Sequence, residues 1–248
     1  MARQQANLTV TIDGHEVRAF EDETVLQAAA RAGVDIPTLC YVEGLSVWGG
    51  CRVCVVEVAE QHRLQPACGT TVVDEMEVTT DSERLRDYRR EIVELLFAEG
   101  NHICSVCVAD GNCELQDMAV EVGMDHVDAD YHFPTRAVDA SHPRYVFDPN
   151  RCILCTRCVR VCDEIEGAHV WDVASRGTQA YLVTELNQPW GESQSCTSCG
   201  KCVAVCPTGS LFERGRAVGE IGRDVDIVRF LTNAREHGEW SERRRSTT

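Results

Sequence analysis

The 248-residue sequence predicts an α+β chain built as three small modules in series, and three observations carry that prediction. Its 15 cysteines fall into three separate blocks with none left over. Short period-two alternations, the mark of strands, lie among helical runs rather than in one long β or βαβ series. The last cysteine block contains an internal repeat.

The elements follow in order. Leu8, Val10 and Ile12 alternate with polar residues, Asp13-Gly14 follows, and Glu16 to Phe20 continues, which is the pattern of a hairpin with a tight turn. Thr24 to Ala32 reads as a helix with Val25, Leu26, Ala29 and Ala30 on one side and Gly33 as its stop. Cys54 to Val58 and Met76 to Thr79 read as strands, so a small sheet on one helix is expected. Asp81 to Glu99 is the clearest helix, with Leu85, Tyr88, Ile92, Leu95 and Leu96 at helical spacing and Gly100 at its end. A further helix is expected over Glu114 to Val122. The stretch Gly123 to Arg144, rich in Asp and His and carrying Pro134 and Pro143, reads as a connector. Val225 to Arg235 reads as a short helix, and Arg243 to Thr248 as a frayed tail.

The formal net charge is −16 and the sequence pI is near 4.9. Such a surface excludes nucleic acid as a partner class and is repelled by anionic lipid. No stretch approaches the roughly 20 apolar residues of a membrane span. Met1 to Gln5 has no apolar run of the kind that opens an export signal, so a cytoplasmic location is expected. An odd, clustered set of cysteines in a reducing compartment points to metal ligation rather than to disulfides.

The third block carries the sharpest motif. Arg151-Cys-Ile-Leu-Cys-Thr-Arg-Cys-Val-Arg-Val-Cys resembles Ser195-Cys-Thr-Ser-Cys-Gly-Lys-Cys-Val-Ala-Val-Cys at an offset of 44 residues. C-x2-C-x2-C-x3-C, seen twice, is the bacterial ferredoxin run, in which the fourth cysteine serves the other cluster. Cys152, Cys155, Cys158 and Cys206 are then one [4Fe–4S] ligand set, and Cys162, Cys196, Cys199 and Cys202 the second. Pro207 follows Cys206 as the pattern expects, whereas Asp163 follows Cys162. In the first block, Cys40, Cys51, Cys54 and Cys68 are spaced C-x10-C-x2-C-x13-C. Four thiolates beside a small sheet suit a [2Fe–2S] cluster, and Gly49 and Gly50 let backbone N–H groups approach the sulfurs. The second block has three cysteines, Cys104, Cys107 and Cys113, where a [4Fe–4S] cluster takes four ligands. His102 is the natural fourth. His126, His132 and His142 are its rivals, and three thiolates around an open iron are another arrangement. His15, His62, His169 and His237 read as incidental. Zinc on the same thiolates is the competing reading of each block.

Nothing in the sequence marks a nucleotide or substrate site. No G-x-G-x-x-G follows a strand, no P-loop is present, and no Ser/His/Asp or HExxH arrangement appears. No catalytic residue and no NAD or FMN site is expected, only one-electron chemistry passed between other sites.

The order of motifs resembles the N-terminal region shared by the large iron–sulfur subunit of respiratory complex I, [FeFe]-hydrogenases and NAD-dependent formate dehydrogenases. Trp48-Gly-Gly-Cys-Arg-Val-Cys and Gly111-Asn-Cys-Glu-Leu-Gln-Asp-Met are close to that family's wording. The resemblance covers about residues 7–212. With its length, the chain is most similar to the small iron–sulfur (HoxU-type) diaphorase subunit of bidirectional NAD-reducing [NiFe]-hydrogenases. The resemblance implies a β-grasp-like [2Fe–2S] module over 1–80, a small helical one-His/three-Cys [4Fe–4S] module over 81–145, a ferredoxin-like module with two [4Fe–4S] clusters over 146–215, and an extension over 216–248. It implies two partners, an FMN/NADH-binding diaphorase subunit and a [NiFe]-hydrogenase small subunit. The wider family commonly spaces its ligands H-x3-C-x2-C-x5-C, whereas only Ile103 separates His102 from Cys104 here. A second reading keeps the relay in a NAD-dependent formate dehydrogenase or NADH:quinone-type complex. A third, of another class, is a zinc-bound scaffold.

Overall fold

The computed structural model describes residues 7–238, so the segment Met1 to Gln5 and the tail from Arg243 lie outside the described residues. Strand β1 (Leu8–Ile12) and strand β2 (His15–Ala19) pair antiparallel over their whole length. The turn between them has φ of 49° at Asp13 and 80° at Gly14. Two positive φ values in a two-residue loop suit the right-handed twist of the flanking strands. Helix α1 (Val25–Arg31) starts at a capping box in which Thr24 and Gln27 satisfy each other's backbone N–H, and Gly33 at φ 79° ends it. Strands β3 (Val55–Val58), β4 (Gln65–Pro66) and β5 (Glu77–Thr79) complete a five-stranded sheet of order β2-β1-β5-β3-β4, with β5 parallel to β1. Val10, Ile12, Val25, Ala28, Ala29, Val56 and Val78 form its core against α1. Strand β4 has no alternation to announce it; its Pro66 is tolerated at the sheet edge.

Helix α2 (Glu83–Glu99) is capped by Ser82, whose Oγ accepts from Leu85 N at 3.2 Å. Arg89, on this helix, is buried. Its guanidinium donates to Val53 O at 3.2 Å, Val55 O at 2.8 Å and Thr80 O at 2.9 Å, which fastens α2 to the sheet. A 3-10 turn over Cys104–Val106 and helix α3 (Glu114–Glu121) follow. The connector is irregular apart from the bridge of Asp139 to Phe147.

The third region pairs strand β6 (Tyr145–Phe147) with β9 (Leu211–Glu213), so its first and last strands close it. Helix α4 (Arg157–Arg160) widens into a π turn over Val161–Glu166. Strands β7 (Trp171–Ala174) and β8 (Tyr181–Thr184) form a hairpin between the two cysteine runs, and helix α5 (Lys201–Ala204) follows the second. Helix α6 (Asp226–His237) ends the described chain. Trp190, 1% exposed, packs edge-on to Trp171 and against Tyr145 and His142.

The regions share cores rather than hanging on linkers. Leu39 and Val53 from the first cysteine loop are buried with Val93, Cys107 and Leu115 of the second region. Val42 and Leu45 from the same loop are buried in the third. No helix among the described residues is long and apolar enough to cross a membrane.

Candidate metal centres

The first cysteine block pairs up: Cys40 lies beside Cys51 and Cys54 beside Cys68, close enough for each pair to perturb the other's thiol. The Cys51 thiol, then the N–H groups of Cys51 and Gly50 and the charge of Arg160, hold Cys40 down at about 5 against its burial. Cys51 and Cys54 are pushed up by Cys40 and Cys68 beside them and then by burial. Arg52, at φ 60°, bends the chain between Cys51 and Cys54.

The other cysteines line three cavities. One is walled by Cys152, Cys155, Cys158 and Cys206. A second is walled by Cys162, Cys196, Cys199 and Cys202. The third is walled by His102, Cys104, Cys107 and Cys113. The fold brings each of these three expected sets together around one cavity. The exchange of the fourth cysteine follows from topology: α4 and α5 pack on each other, so each run ends beside its twin.

The sequence repeat reappears in the backbone. Leu154 and Thr156 have φ of 50° and 57°, and Ser198 and Gly200, 44 residues on, have 55° and 76°. Left-handed residues between cysteines turn N–H groups inward to form an anion-binding nest. Leu154 N donates to Cys152 Sγ at 3.4 Å, and Ala109 N to Cys107 Sγ and Val170 N to Cys162 Sγ at the same distance. Burial pushes Cys152 up to about 11 and Cys155 up to about 12, and raises Cys158 and Cys202 further. These groups are therefore neutral thiols until a metal displaces their protons.

His102 is the telling member of its cavity. Burial, and then the Arg151 charge, lower its pKa to about 4, so the ring is neutral. Its Nε2 is buried with no hydrogen-bond partner. A neutral imidazole with a buried, unpartnered ring nitrogen beside three thiols suits a metal-ligating histidine. The short spacing to Cys104 is accommodated by Gly100, since a Cβ there would sit 2.5 Å from His102 Nε2. The rivals lie elsewhere. His126 is exposed and paired with Asp125 and Asp128, and His132 is exposed. His142 is buried beside the Cys196 cavity: its Nδ1 accepts from the backbone of Arg144 and Tyr145, and its Nε2 faces Ser198 Oγ at 3.1 Å and Cys196 Sγ at 3.9 Å.

Several contributors had no signal of their own in the sequence. Arg160 is buried and donates to Ser46 O at 2.6 Å, Cys40 O at 2.5 Å and Cys155 O at 3.2 Å, so one guanidinium joins the first cysteine loop to the third. Arg157 pairs with Glu114 at 2.8 Å and joins the second region to the third. Arg151 faces Cys107 as well as Asp148. The only sequence hint for these arginines is their place within or beside the cysteine run. Gly209 walls the His102 cavity from the third region.

Among the described residues, no three His, Cys, Asp or Glu side chains converge closely enough to hold a single metal ion. Three of the sets line a cavity each, an arrangement that suits a polynuclear iron–sulfur cluster.

Three family models match the chain in series. Residues 5–83 match the 2Fe-2S iron-sulfur cluster binding domain, 89–128 the NADH-ubiquinone oxidoreductase-G iron-sulfur binding region, and 143–212 the ferredoxin-like domain of NADH-quinone oxidoreductase subunit 3. Fold and site together define an iron–sulfur electron-transfer protein with both 2Fe-2S and 4Fe-4S binding regions. The NAD-reducing hydrogenase HoxS subunit gamma of Cupriavidus necator is 34% identical over 224 residues, 90% of this chain and 92% of that one. The chain belongs to the family of that subunit. A solved chain of an NAD+-reducing [NiFe]-hydrogenase in the H2-reduced state superposes with a TM-score of 0.80 at 36% identity, covering 86% of this chain and 89% of that one. The NADPH-Fe(3+) oxidoreductase subunit alpha of Geobacter sulfurreducens is 39% identical over 207 residues, but the chain spans only 24% of its length.

Proposed function

We propose that the chain is the electron-relay subunit of a cytoplasmic NAD-reducing hydrogenase, joining an FMN/NADH-binding diaphorase subunit to a [NiFe]-hydrogenase small subunit. It carries four clusters. Cys40, Cys51, Cys54 and Cys68 hold a [2Fe–2S] cluster on a β-grasp-like module over 1–80. His102, Cys104, Cys107 and Cys113 hold a [4Fe–4S] cluster on a helical module over 81–145. Cys152, Cys155, Cys158 and Cys206 hold another, and Cys162, Cys196, Cys199 and Cys202 the last, on the ferredoxin-like module over 146–215. Residues 216–248 form the C-terminal extension. The chain is not itself catalytic.

The observation that carries this reading is the orphaned Nε2 of His102 in a cavity walled by three cysteines. A buried polar atom without a partner costs about 1–3 kcal/mol, and a metal ligand is the partner it lacks. Each cluster supplies one-electron storage at nearly fixed geometry. The chain's residues do the rest. The inward N–H groups and the arginines 89, 151, 157 and 160 offset negative charge, and the shared cores fix the modules against one another. Affinity purification with the neighbouring subunits tests the assignment. A nickel-containing partner and NADH-dependent bleaching of the visible absorbance support it. A molybdenum- or tungsten-containing partner moves the chain to the formate-dehydrogenase reading.

A further inference from the structure

The two cysteine runs repeat in their backbone but not in their surroundings. Leu154 lies between Cys152 and Cys155, and Ser198 is its twin 44 residues on, both at left-handed φ. Leu154 lines its cavity with Val173, Leu182 and Leu211. Ser198 lines the other with Tyr145, Trp171 and Trp190. A segment outside both runs reaches Ser198. Arg144 Nη1 donates to Ser198 O at 3.2 Å, and the Tyr145 hydroxyl donates to the same carbonyl at 3.3 Å. A Cβ at Gly200 would sit 2.5 Å from that hydroxyl, so the residue after Cys199 has no room for a side chain. Nothing comparable grips Leu154, whose side chain offers no polar atom.

His142 belongs to the same segment and is 3% exposed. Its ring stacks on Tyr145 at 5.0 Å and lies 4.7 Å from Trp190. Its Nδ1 accepts from the backbone N–H of Arg144 at 3.1 Å and of Tyr145 at 3.2 Å. An imidazole nitrogen that accepts carries no proton, so the proton of this ring is on Nε2, and Nε2 is a donor. That donor faces Ser198 Oγ at 3.1 Å and Cys196 Sγ at 3.9 Å. Backbone groups and two aromatic rings therefore fix one N–H against a cysteine of the second run. Trp190, against which His142 packs, lines the same cavity, and its Nε1 is buried with no acceptor. A buried donor without a partner is costly, so this wall is built for an acceptor such as cluster or ligand sulfur.

We propose that His142 is a positioning residue for the Cys162/Cys196/Cys199/Cys202 centre, its Nε2–H shared between Ser198 Oγ and Cys196 Sγ. A donor to ligand sulfur offsets the charge that the cluster gains on reduction, so His142 raises the reduction potential of this centre. It does not act on the twin centre, whose matching position is Leu154. The proposal rests on the ligand assignment above.

The test is an EPR-monitored redox titration of the full-length, cluster-loaded chain with His142→Phe, which keeps a ring and removes the donor, and His142→Gln, which restores an N–H donor. Cys199→Ser marks the signal that belongs to this centre. His142→Phe is expected to move the midpoint of that signal to more negative potential and leave the other three centres in place, with His142→Gln between it and the unaltered chain. If His142→Phe instead loses about four iron atoms, one [4Fe–4S] cluster's worth, recovery of that iron in His142→Gln supports the donor role. An unchanged midpoint, a shift shared by all four centres, or an iron loss that glutamine does not restore overturns the proposal while the ligand assignment stands. An unaltered chain with only one all-cysteine [4Fe–4S] centre overturns the ligand assignment itself.

Discussion

Gly209 offers the most selective perturbation. It belongs to the ferredoxin-like region, two residues after Pro207, yet it walls the cavity of the second region. A Cβ built there lies 2.5 Å from Cys107 Sγ, 3.3 Å from Ala109 Cβ and 3.5 Å from Val108 Cγ2. Carbon and neighbouring heavy atoms rest at about 3.5–4.0 Å, so the sulfur must retreat by roughly 1 Å. Cys107 is 7% exposed and its loop is pinned through its carbonyl to Gly219, so it has nowhere to go. Overpacking of this kind costs about 1–3 kcal/mol in an ordinary core. At a metal ligand it removes the bond. Gly209→Ala is therefore expected to fold, keep the [2Fe–2S] cluster and both clusters of the repeat, and lose the histidine-ligated one. Iron and acid-labile sulfide then fall from about fourteen to about ten per chain, with one reduced [4Fe–4S] signal missing from the EPR spectrum. A variant with full iron and an unchanged spectrum would falsify the placement of Gly209 against Cys107.

Further outcomes follow from the same geometry. His102→Cys is expected to keep the cluster and lower its potential, since a thiolate replaces a neutral ring; His102→Ala with unchanged iron and spectra would remove His102 from the ligand set. Arg160→Met takes a cation from between two cluster loops, so the midpoints of the [2Fe–2S] cluster and of the Cys152 cluster both move negative in a redox titration. A shift confined to one of them contradicts the bridging role. Arg89→Met leaves the carbonyls of Val53, Val55 and Thr80 without their donor. That loss is worth about 3 kcal/mol, or roughly 10 °C in the midpoint of thermal bleaching; a change under about 3 °C would show that Arg89 does not fasten α2 to the sheet.

Much of the site was legible because cluster ligation is a local code. Cysteines two or three residues apart must share a loop, so spacing grouped Cys152, Cys155 and Cys158, and Cys196, Cys199 and Cys202, while the distant Cys206 and Cys162 came from the ferredoxin pattern; the left-handed backbone at Leu154 and Ser198 repeats with the two runs. Helices α1, α2 and α3 were legible from apolar spacing and from Thr24, Ser82 and Gly100, with ends displaced by one or two residues where caps replace helical residues. Strand β4 and the β7–β8 hairpin were not, since two-residue or partly polar strands carry no period of their own. The cross-region groups were illegible for a different reason. Arg160 and Gly209 act on cysteines 120 and 102 residues away, and nothing in their own neighbourhoods records that contact. His142 shows the limit from the other side: its proximity to a ligand-deficient block in sequence did not survive folding, which set it against Cys196 instead.

Cluster inventory tests the central claim most directly. Mössbauer spectroscopy with iron, sulfide and zinc analysis on the anaerobically purified full-length chain should find about fourteen iron and as many sulfide atoms, divided among one [2Fe–2S] and three [4Fe–4S] centres, one of the latter with a nitrogen-ligated iron. Zinc in place of iron, or no acid-labile sulfide, would contradict the account.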